Sequence, residues 1–308
     1  MNKRPVIICT DPGIDDFIAL AVLLQQPQLD IRGMIALSGN VGLPITVNNA
    51  LLAGELCGRT DVPVLAGSAT PLARPARNAC NIHGASGLGT SVERYSNRKP
   101  LAQDAAEFIV QTARQFPGAL EIISLGPLTD VARALTLDPA IAQLLRQIVV
   151  MGGGIKRGNA TQYAEFNIVA DPEAADVVFS SSAPVVMIGL DATHQCLQPR
   201  SQIAEMAADT ELGRMVGLML NDYADMYRRV HQLEGVVIHD AICALWLLQP
   251  ELFYTEPMRV KICLDNGAHL GQTMAVTDGA PFATVAMGLD AEGVARRIVD
   301  EVHRAVIQ

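Results

Sequence analysis

The order of apolar and polar positions along the chain predicts strands and helices in alternation. Short runs rich in Val, Ile and Leu are typical of buried parallel strands, and they occur at residues 6–9, 31–37, 62–65, 120–124, 147–151 and 184–190. Apolar residues at helical spacing lie between them, at 15–25, 46–57, 102–115, 128–135 and 172–180. The expected fold class is therefore α/β, with a mostly parallel central sheet flanked by helices.

The last third of the chain is less regular. Residues 200–232 have a helical pattern, and residues 240–248 form a strongly apolar helix. A turn signal at residues 265–267, Asp-Asn-Gly, predicts a hairpin between 258–264 and 272–276. We expect a single domain over residues 1–308, with this small hairpin and helical lid segments added. The turn-rich stretches 73–100 and 152–166 are expected to form the site or a lid.

Composition narrows the set of ligands. Half of the residues are hydrophobic and 4% are aromatic, so the chain can bury a large aliphatic core and is not disordered. The 23 Lys and Arg residues against 32 Asp and Glu residues give a formal charge of −9. A net negative charge does not attract nucleic acid or an anionic membrane surface, so the charge balance does not favour either as a partner. A small neutral ligand or a metal cation fits it better.

The amino terminus and the cysteines bear on location. The first residues do not have the pattern of a signal peptide, and no apolar stretch approaches the roughly 18 residues of a membrane span. The six cysteines lie far apart, mostly in apolar runs, which favours buried reduced thiols over disulfides or zinc ligands. We expect a cytoplasmic protein.

An acidic motif marks the candidate site. Asp11, Asp15 and Asp16 lie where the first predicted strand ends and the first helix begins. Ligands of open α/β sheets bind at the carboxyl ends of strands. Three carboxylates so close repel one another unless a cation lies between them, and Ca²⁺ accepts such oxygen ligands. A helix amino terminus alone would favour Asp15 and Asp16, but it does not explain Asp11.

This motif resembles the amino-terminal signature of the inosine-uridine-type nucleoside hydrolases, Asp-x-Asp-x-x-x-Asp-Asp, at every acidic position except the first, which is Cys9. The resemblance covers nearly the whole chain, through Gly39-Asn40-Val41, Asn48-Asn49-Ala50, His83-Gly84, Leu125-Gly126-Pro127, Met151-Gly152-Gly153, Gly158-Asn159, Glu165-Phe166-Asn167 and His239-Asp240. Within the family, the chain looks most like bacterial ribonucleoside hydrolases that accept both purine and pyrimidine nucleosides. The resemblance implies calcium-dependent hydrolysis of a ribonucleoside to free base and ribose, in nucleoside salvage.

The resemblance also implies roles for individual residues. The Ca²⁺ ligands would be Asp11, Asp16, Asp240 and the Leu125 carbonyl. The ribose hydroxyls would be bound by Asp15, Asn40, Asn159, Glu165 and Asn167. Asp11 would also act as general base, and the Asn167 carbonyl would stabilise the positive charge that develops on the sugar. Asn159 alone has a second interpretation, in which its side chain stabilises a turn after Gly158 and does not bind ribose.

The departing base needs a proton donor and side chains that contact it. His83 and His239 are the candidate proton donors, and His239 is favoured because it precedes the metal ligand Asp240. Phe166 and Tyr227 are expected to contact the base, although Tyr227 would equally serve helix packing. The preference among purine and pyrimidine bases stays open.

Cys9 is a departure from the family pattern. The position is expected behind the metal ligands, so a neutral thiol there predicts weaker Ca²⁺ binding. The alternative function is a nucleoside-binding or ribose-binding protein with impaired catalysis. A phosphotransfer protein would need a partner Lys, and none lies between Lys3 and Lys99, so that function depends on a more distant residue such as Lys156. A periplasmic-type sugar-binding protein would need a signal peptide and two similar halves, and both are absent. Family habit implies a homo-oligomer, a tetramer or a dimer.

Overall fold

A computed structural model of the chain describes residues 3–279 and 282–307. Its strands are β1 (Arg4–Thr10), β2 (Leu29–Ala36), β3 (Val64–Ala66), β4 (Leu120–Ser124), β5 (Leu145–Met151), β6 (Val185–Ile188), β7 (Gln198–Pro199), β8 (Gly235–Val236), β9 (Phe253–Ile262), β10 (Thr273–Val276) and β11 (Ala283–Leu289). Its helices are α1 (Ile14–Leu24), α2 (Leu43–Leu56), α3 (Cys80–His83), α4 (Ala105–Gln115), α5 (Thr129–Leu137), α6 (Phe166–Ala170), α7 (Pro172–Ser180), α8 (Leu190–Thr193), α9 (Arg200–Met206), α10 (Glu211–His231), α11 (His239–Trp246) and α12 (Ala291–Val306).

A nine-stranded sheet forms the centre of this α/β structure. Its order is β10-β9-β11-β6-β5-β4-β1-β2-β3. All neighbours from β3 to β11 pair in parallel, whereas β9 is antiparallel to both β11 and β10. Strands β7 and β8 form a separate antiparallel pair. The prediction of a mostly parallel sheet flanked by helices is confirmed.

The pleat of the central strands divides the core into two layers. Ile7 and Ile8 are both fully buried, but they belong to apolar clusters on opposite faces of the sheet. Helices α1, α2, α10, α11 and α12 contribute to the cluster that contains Ile8, and α4, α5 and α7 contribute to the one that contains Ile7. Burial on both faces explains why these strands are continuous apolar runs.

The carboxyl-terminal third departs most from the predicted elements. The helical segment predicted at 200–232 is two helices, α9 and α10, and the Thr210 hydroxyl caps α10 by accepting from the Gly213 amide at 3.0 Å. The predicted hairpin is present as β9 and β10. Strand β11 and helix α12 were not predicted.

Two further expectations can be compared with the structure. The prediction of buried cysteines is wrong for Cys80, which is exposed, and Cys263 is only partly buried; the other four are buried, and all six are free thiols. Among the described helices, none is long and apolar enough to cross a membrane.

Candidate active site

The carboxyl ends of β1, β2, β4 and β5 meet at one edge of the sheet, and a cavity of about 510 Å³ opens there. The candidate residues that line it are Asp15, Asn40, His83, Leu125, Asn159, Glu165, Phe166, Asn167, Tyr227, His239 and Asp240. Asp11 and Asp16 lie fully buried next to it. Both long loops contribute residues to its wall, within 76–83 and 159–167. That these loops form the functional site stays a prediction.

Three carboxylates converge at the base of the cavity. One oxygen each of Asp15, Asp16 and Asp240 lies within 4.8 Å of the others, and all three residues are buried. Burial, reinforced by the charge of Asp16, raises the pKa of Asp15 to about 8. Burial and the neighbouring charges of Asp15 and Asp16 raise the pKa of Asp240 well above its usual range. A cation bound here would relieve this repulsion.

Asp16 and Asp11 differ in their hydrogen bonding. The Asp16 carboxylate accepts from the Thr10 hydroxyl at 2.6 Å, the Gly13 amide at 3.1 Å and the Asn40 side-chain amide at 2.9 Å. One Asp11 oxygen, Oδ2, accepts from the Asn40 backbone amide at 2.7 Å. The other, Oδ1, is buried and has no hydrogen-bond partner among the described residues. An unpartnered buried carboxylate oxygen is costly in water-free surroundings, and a metal ion would satisfy it.

Two glycines make room for the Asp11 carboxylate. A Cβ atom on Gly39 would lie 2.0 Å from Oδ2 of Asp11, and one on Gly126 would lie 2.1 Å from Oδ1. A side chain at either position would force the Asp11 carboxylate to move. Oxygen donors held in this way fit a hard divalent cation such as Ca²⁺ better than a softer metal.

The wall formed by residues 159–167 is held by side-chain bonds to the backbone. The Asn167 amide donates to the carbonyls of Leu125 at 2.7 Å and Met151 at 3.0 Å. Glu165 caps α6, and its carboxylate accepts from the backbone amides of Asn167, Ile168 and Gly153 at 2.9 to 3.1 Å. Burial raises the pKa of Glu165 to about 7 although these bonds oppose the shift.

Asn159 and Asn40 line the cavity, but both have structural partners. The Asn159 side-chain oxygen accepts from the Phe166 amide at 2.9 Å, which is the local loop chemistry that the sequence left as an alternative. The Asn40 side-chain amide donates to the Asp11 carbonyl at 3.2 Å and to Asp16. In this structure both asparagines therefore organise the site as well as facing it.

His83 is held as a neutral ring. Its Nδ1 accepts from the Ile14 backbone amide at 3.1 Å, which leaves the proton on Nε2. Nδ1 also lies 3.9 Å from Oδ1 of Asp15, and the ring stacks on Tyr223 with a centroid separation of 5.6 Å. Burial lowers the pKa of His83 to about 4. At neutral pH, His83 can donate a hydrogen bond but is not an imidazolium acid.

His239 begins α11 and lies in a hydrogen-bonded chain. Its Nδ1 is 2.8 Å from the Thr193 hydroxyl, and its Nε2 is 3.2 Å from the Tyr227 hydroxyl. Tyr227 in turn packs edge-on against Tyr223, with ring centroids 4.9 Å apart. The sequence analysis did not identify Tyr223 or Thr193. Tyr223 had a signal, since it precedes Tyr227 by four residues on one helix face, whereas Thr193 had none.

Cys9 is a fully buried residue of β1, in the apolar cluster of Ile35 and Leu37. Burial, with a smaller contribution from the charge of Asp130, raises the pKa of this thiol far above its usual range. The thiol is therefore neutral. Asp130, rather than a carboxylate of the acidic cluster, is the charge that acts on it most strongly.

An acidic centre below an open cavity at the carboxyl edge of a parallel sheet is typical of α/β enzymes that act on small polar ligands. Residues 6–296 match the family model of the inosine-uridine preferring nucleoside hydrolases. The chain therefore belongs to that family and is a ribonucleoside N-glycosyl hydrolase.

Relatives and solved structures agree with this assignment. A non-specific ribonucleoside hydrolase RihC of Escherichia coli is 36% identical over 295 residues, which cover 94% of this chain and 95% of that protein. A plant nucleoside hydrolase, the PpNRh1 enzyme, is 33% identical with a TM-score of 0.93 over 97% of this chain and 99% of its own. A purine-preferring ribonucleoside hydrolase from Gardnerella vaginalis is 29% identical, with a TM-score of 0.93 over 99% and 100% of the two chains.

Proposed function

We propose that the enzyme is calcium-dependent and releases free base and ribose from both purine and pyrimidine ribonucleosides, in nucleoside salvage. The observation that carries the metal proposal is the buried Oδ1 of Asp11, which no described residue hydrogen-bonds, beside three buried, mutually repelling carboxylates. Broad base use is supported by the RihC relatives, which are named as non-specific. The Gardnerella relative is named as purine-preferring, so the preference of this chain needs direct measurement.

Asp11, Asp16, Asp240 and the Leu125 carbonyl would hold the Ca²⁺. When bound, the ion would lower the pKa of a water molecule and bind ribose hydroxyls. Asp15 faces the cavity at 6% exposure and would accept a hydrogen bond from the ribose diol. Asn40, Asn159, Glu165 and Asn167 would complete the sugar subsite, as the lining of the cavity supports.

The chain's own residues then account for bond cleavage. Departure of the base builds positive charge on the anomeric carbon and ring oxygen, and the buried carboxylates stabilise that charge without reorganising. The Asn167 amide nitrogen donates to two carbonyls, so its side-chain oxygen is available for the sugar. Asp11 would also act as general base and accept a proton from the attacking water.

Protonation of the departing base is assigned to His239. Thr193 and Tyr227 contact its two ring nitrogens and fix its orientation at the cavity. His83 would donate a hydrogen bond to the base through Nε2, since its Nδ1 is occupied by Ile14. Phe166 and Tyr227 line the same cavity and would contact the base.

The test is the release of ribose from uridine and inosine, measured as reducing sugar with and without a chelator. We expect activity on both nucleosides, loss on chelation and recovery with calcium. Activity that is indifferent to chelator would overturn the metal proposal. Binding of uridine without ribose release would support the alternative, a binding protein with impaired catalysis. A comparison with 2′-deoxyuridine tests the contact between ion and ribose, because a substrate that lacks the 2′-hydroxyl should be poor.

We also propose a homo-oligomer, a dimer or a tetramer, supported by large apolar side chains exposed near strands β9 and β11, Tyr254 at 64% and Phe282 at 57%. Sedimentation velocity tests this, and a monomer at micromolar concentration would contradict it.

The single domain of residues 1–308 stays a prediction, and residues 1, 2, 280, 281 and 308 lie outside the described part. The cytoplasmic location likewise stays a prediction.

A further inference from the structure

A second feature of the cavity wall is the way the segment after His83 is attached to α10. Residues 84–91, which we call the 84–91 loop, follow His83 and run back toward α10. The Asp222 carboxylate on α10 accepts four hydrogen bonds from the end of this loop. Two come from Thr90, the backbone amide at 2.7 Å and the hydroxyl at 3.1 Å. Two come from Ser91, the amide at 2.8 Å and the hydroxyl at 3.0 Å. A charged acceptor with four donors is a strong local anchor.

The anchor is connected to His83 by a short path. The Gly89 amide, one residue before Thr90, donates to the His83 carbonyl at 2.8 Å. Gly89 has a φ of +83°, and a Cβ there would lie 2.6 Å from Oδ2 of Asp222. Only glycine allows this approach of the loop to the helix. The backbone position of His83 is therefore tied to Asp222 through one intervening hydrogen bond.

The His83 ring is tied to the same helix by the next residue. It stacks on Tyr223, which follows Asp222 and points into the cavity. The opposite end of the loop is fixed to the acidic motif, because the Asn49 side-chain amide donates to both the Pro12 carbonyl at 3.0 Å and the Ser86 carbonyl at 2.9 Å. The loop thus spans from the carboxylates that hold the sugar to the tyrosines that face the base.

We infer that Asp222 is a positioning residue that sets the distance between His83 and the tyrosines of α10, and with it the shape of the base subsite. The inference rests on the proposed function, in which His83 and Tyr227 contact the base. Without Asp222, the loop would retain its attachment to the acidic motif through Asn49, so the sugar subsite should persist while the base subsite loosens. The expected loss of kcat/KM therefore depends on which leaving group the substrate carries.

The test uses the full-length enzyme with three variants. Asp222→Ala removes all four acceptor contacts. Asp222→Asn is the conservative rescue, because one amide oxygen can keep the three donors on Oδ2 and the amide nitrogen can donate to the Ser91 hydroxyl. Asp225→Ala is the matched control, since Asp225 lies on the same helix and pairs with Arg200 at the surface. The substrates are uridine, inosine and 4-nitrophenyl ribofuranoside, whose leaving group departs as a stabilised anion.

For Asp222→Ala we expect kcat/KM to fall about tenfold on both nucleosides and less than about threefold on the nitrophenyl riboside, since small displacements of a positioned group cost rate. Hydrogen exchange of the amides of residues 89–91 should accelerate. Asp222→Asn should recover most of both effects, and Asp225→Ala should match wild type.

Equal losses on all three substrates, or unchanged exchange in Asp222→Ala, would overturn the inference. A wild-type enzyme that releases no ribose would instead overturn the proposed function. The exchange measurement would then still decide whether Asp222 holds the loop.

Discussion

Replacing Cys9 with Asp restores the acidic position that the family signature predicts, and the structure shows what this would cost. The site is fully buried, lies among apolar side chains and is influenced by the negative charge of Asp130. A carboxyl group has a pKa of about 3.9 in the unfolded chain, and full burial beside Asp130 would raise that pKa to roughly 7 or higher. Holding that pKa above 7 lowers the free energy of unfolding at pH 7 by about 4 kcal/mol.

The sign of the pH dependence follows from the raised pKa. The folded variant binds a proton more tightly than the unfolded chain, so the part of its stability deficit that comes from titration is absent below about pH 4 and grows as pH rises toward 7. Urea unfolding of both proteins from pH 4.5 to 8, in the presence of chelator, measures this. Cys9→Asn is the matched control, because it changes polarity and packing without a titrating charge.

Two outcomes would refute the reasoning. A deficit that does not change with pH, or one equal to that of Cys9→Asn throughout, would show that the added carboxyl group does not experience this burial. In a second background, Asp130→Asn removes the nearby charge and should shrink the deficit of Cys9→Asp. Repeating the series with calcium tests the sequence-based expectation about Cys9. If the carboxylate of Cys9→Asp reaches the ion, calcium will reduce the difference in unfolding free energy between the variant and wild type. Unchanged calcium affinity and turnover in the variant would contradict the expectation that Cys9 weakens Ca²⁺ binding.

Three other changes give measurable outcomes. Gly126→Ala places a methyl group against the Asp11 carboxylate and should lower kcat/KM about a hundredfold, whereas Gly42→Ala, with no atom closer than 4.0 Å, should be near wild type in the same ribose-release assay. Asp240→Asn removes one repelling carboxylate, so it should raise the melting temperature of the metal-free protein and abolish the stabilisation by calcium. In wild type, calcium at a hundredfold excess over Kd should stabilise the fold by about 2.7 kcal/mol. Calorimetry with and without chelator measures both effects, and a lower melting temperature of the metal-free variant would count against the prediction. Glu165→Gln removes a carboxyl group whose folded pKa is about 7 instead of 4.5. Because that pKa is raised, the wild type should lose about 3 kcal/mol relative to the variant as pH rises from 4.5 to 7, and a flat difference in unfolding free energy would exclude the shift.

Local patterns in the sequence were sufficient for most of the sheet and for the acidic motif. Strands such as β4 are uniform apolar runs because they are buried on both faces, so their signal lies within a few residues. Helix α12 shows that the prediction did not use all the available signal, since Val294, Ile298 and Val302 have helical spacing and are buried. Strand β11 is harder, because its small residues acquire meaning only from pairing with β6 and β9.

The sequence by itself determined the α/β alternation, the family and the identity of the chemical groups, because each depends on neighbours close along the chain or on ordered motifs. Only the tertiary structure decided how those groups meet. It placed Asp240 against Asp16, left Oδ1 of Asp11 without a hydrogen-bond partner in the described part of the chain, put Cys9 near Asp130, and connected Asp222 to His83. Contacts of this kind join residues that are far apart in sequence, and the order of the strands in the sheet and the packing of α10 and α11 bring them together.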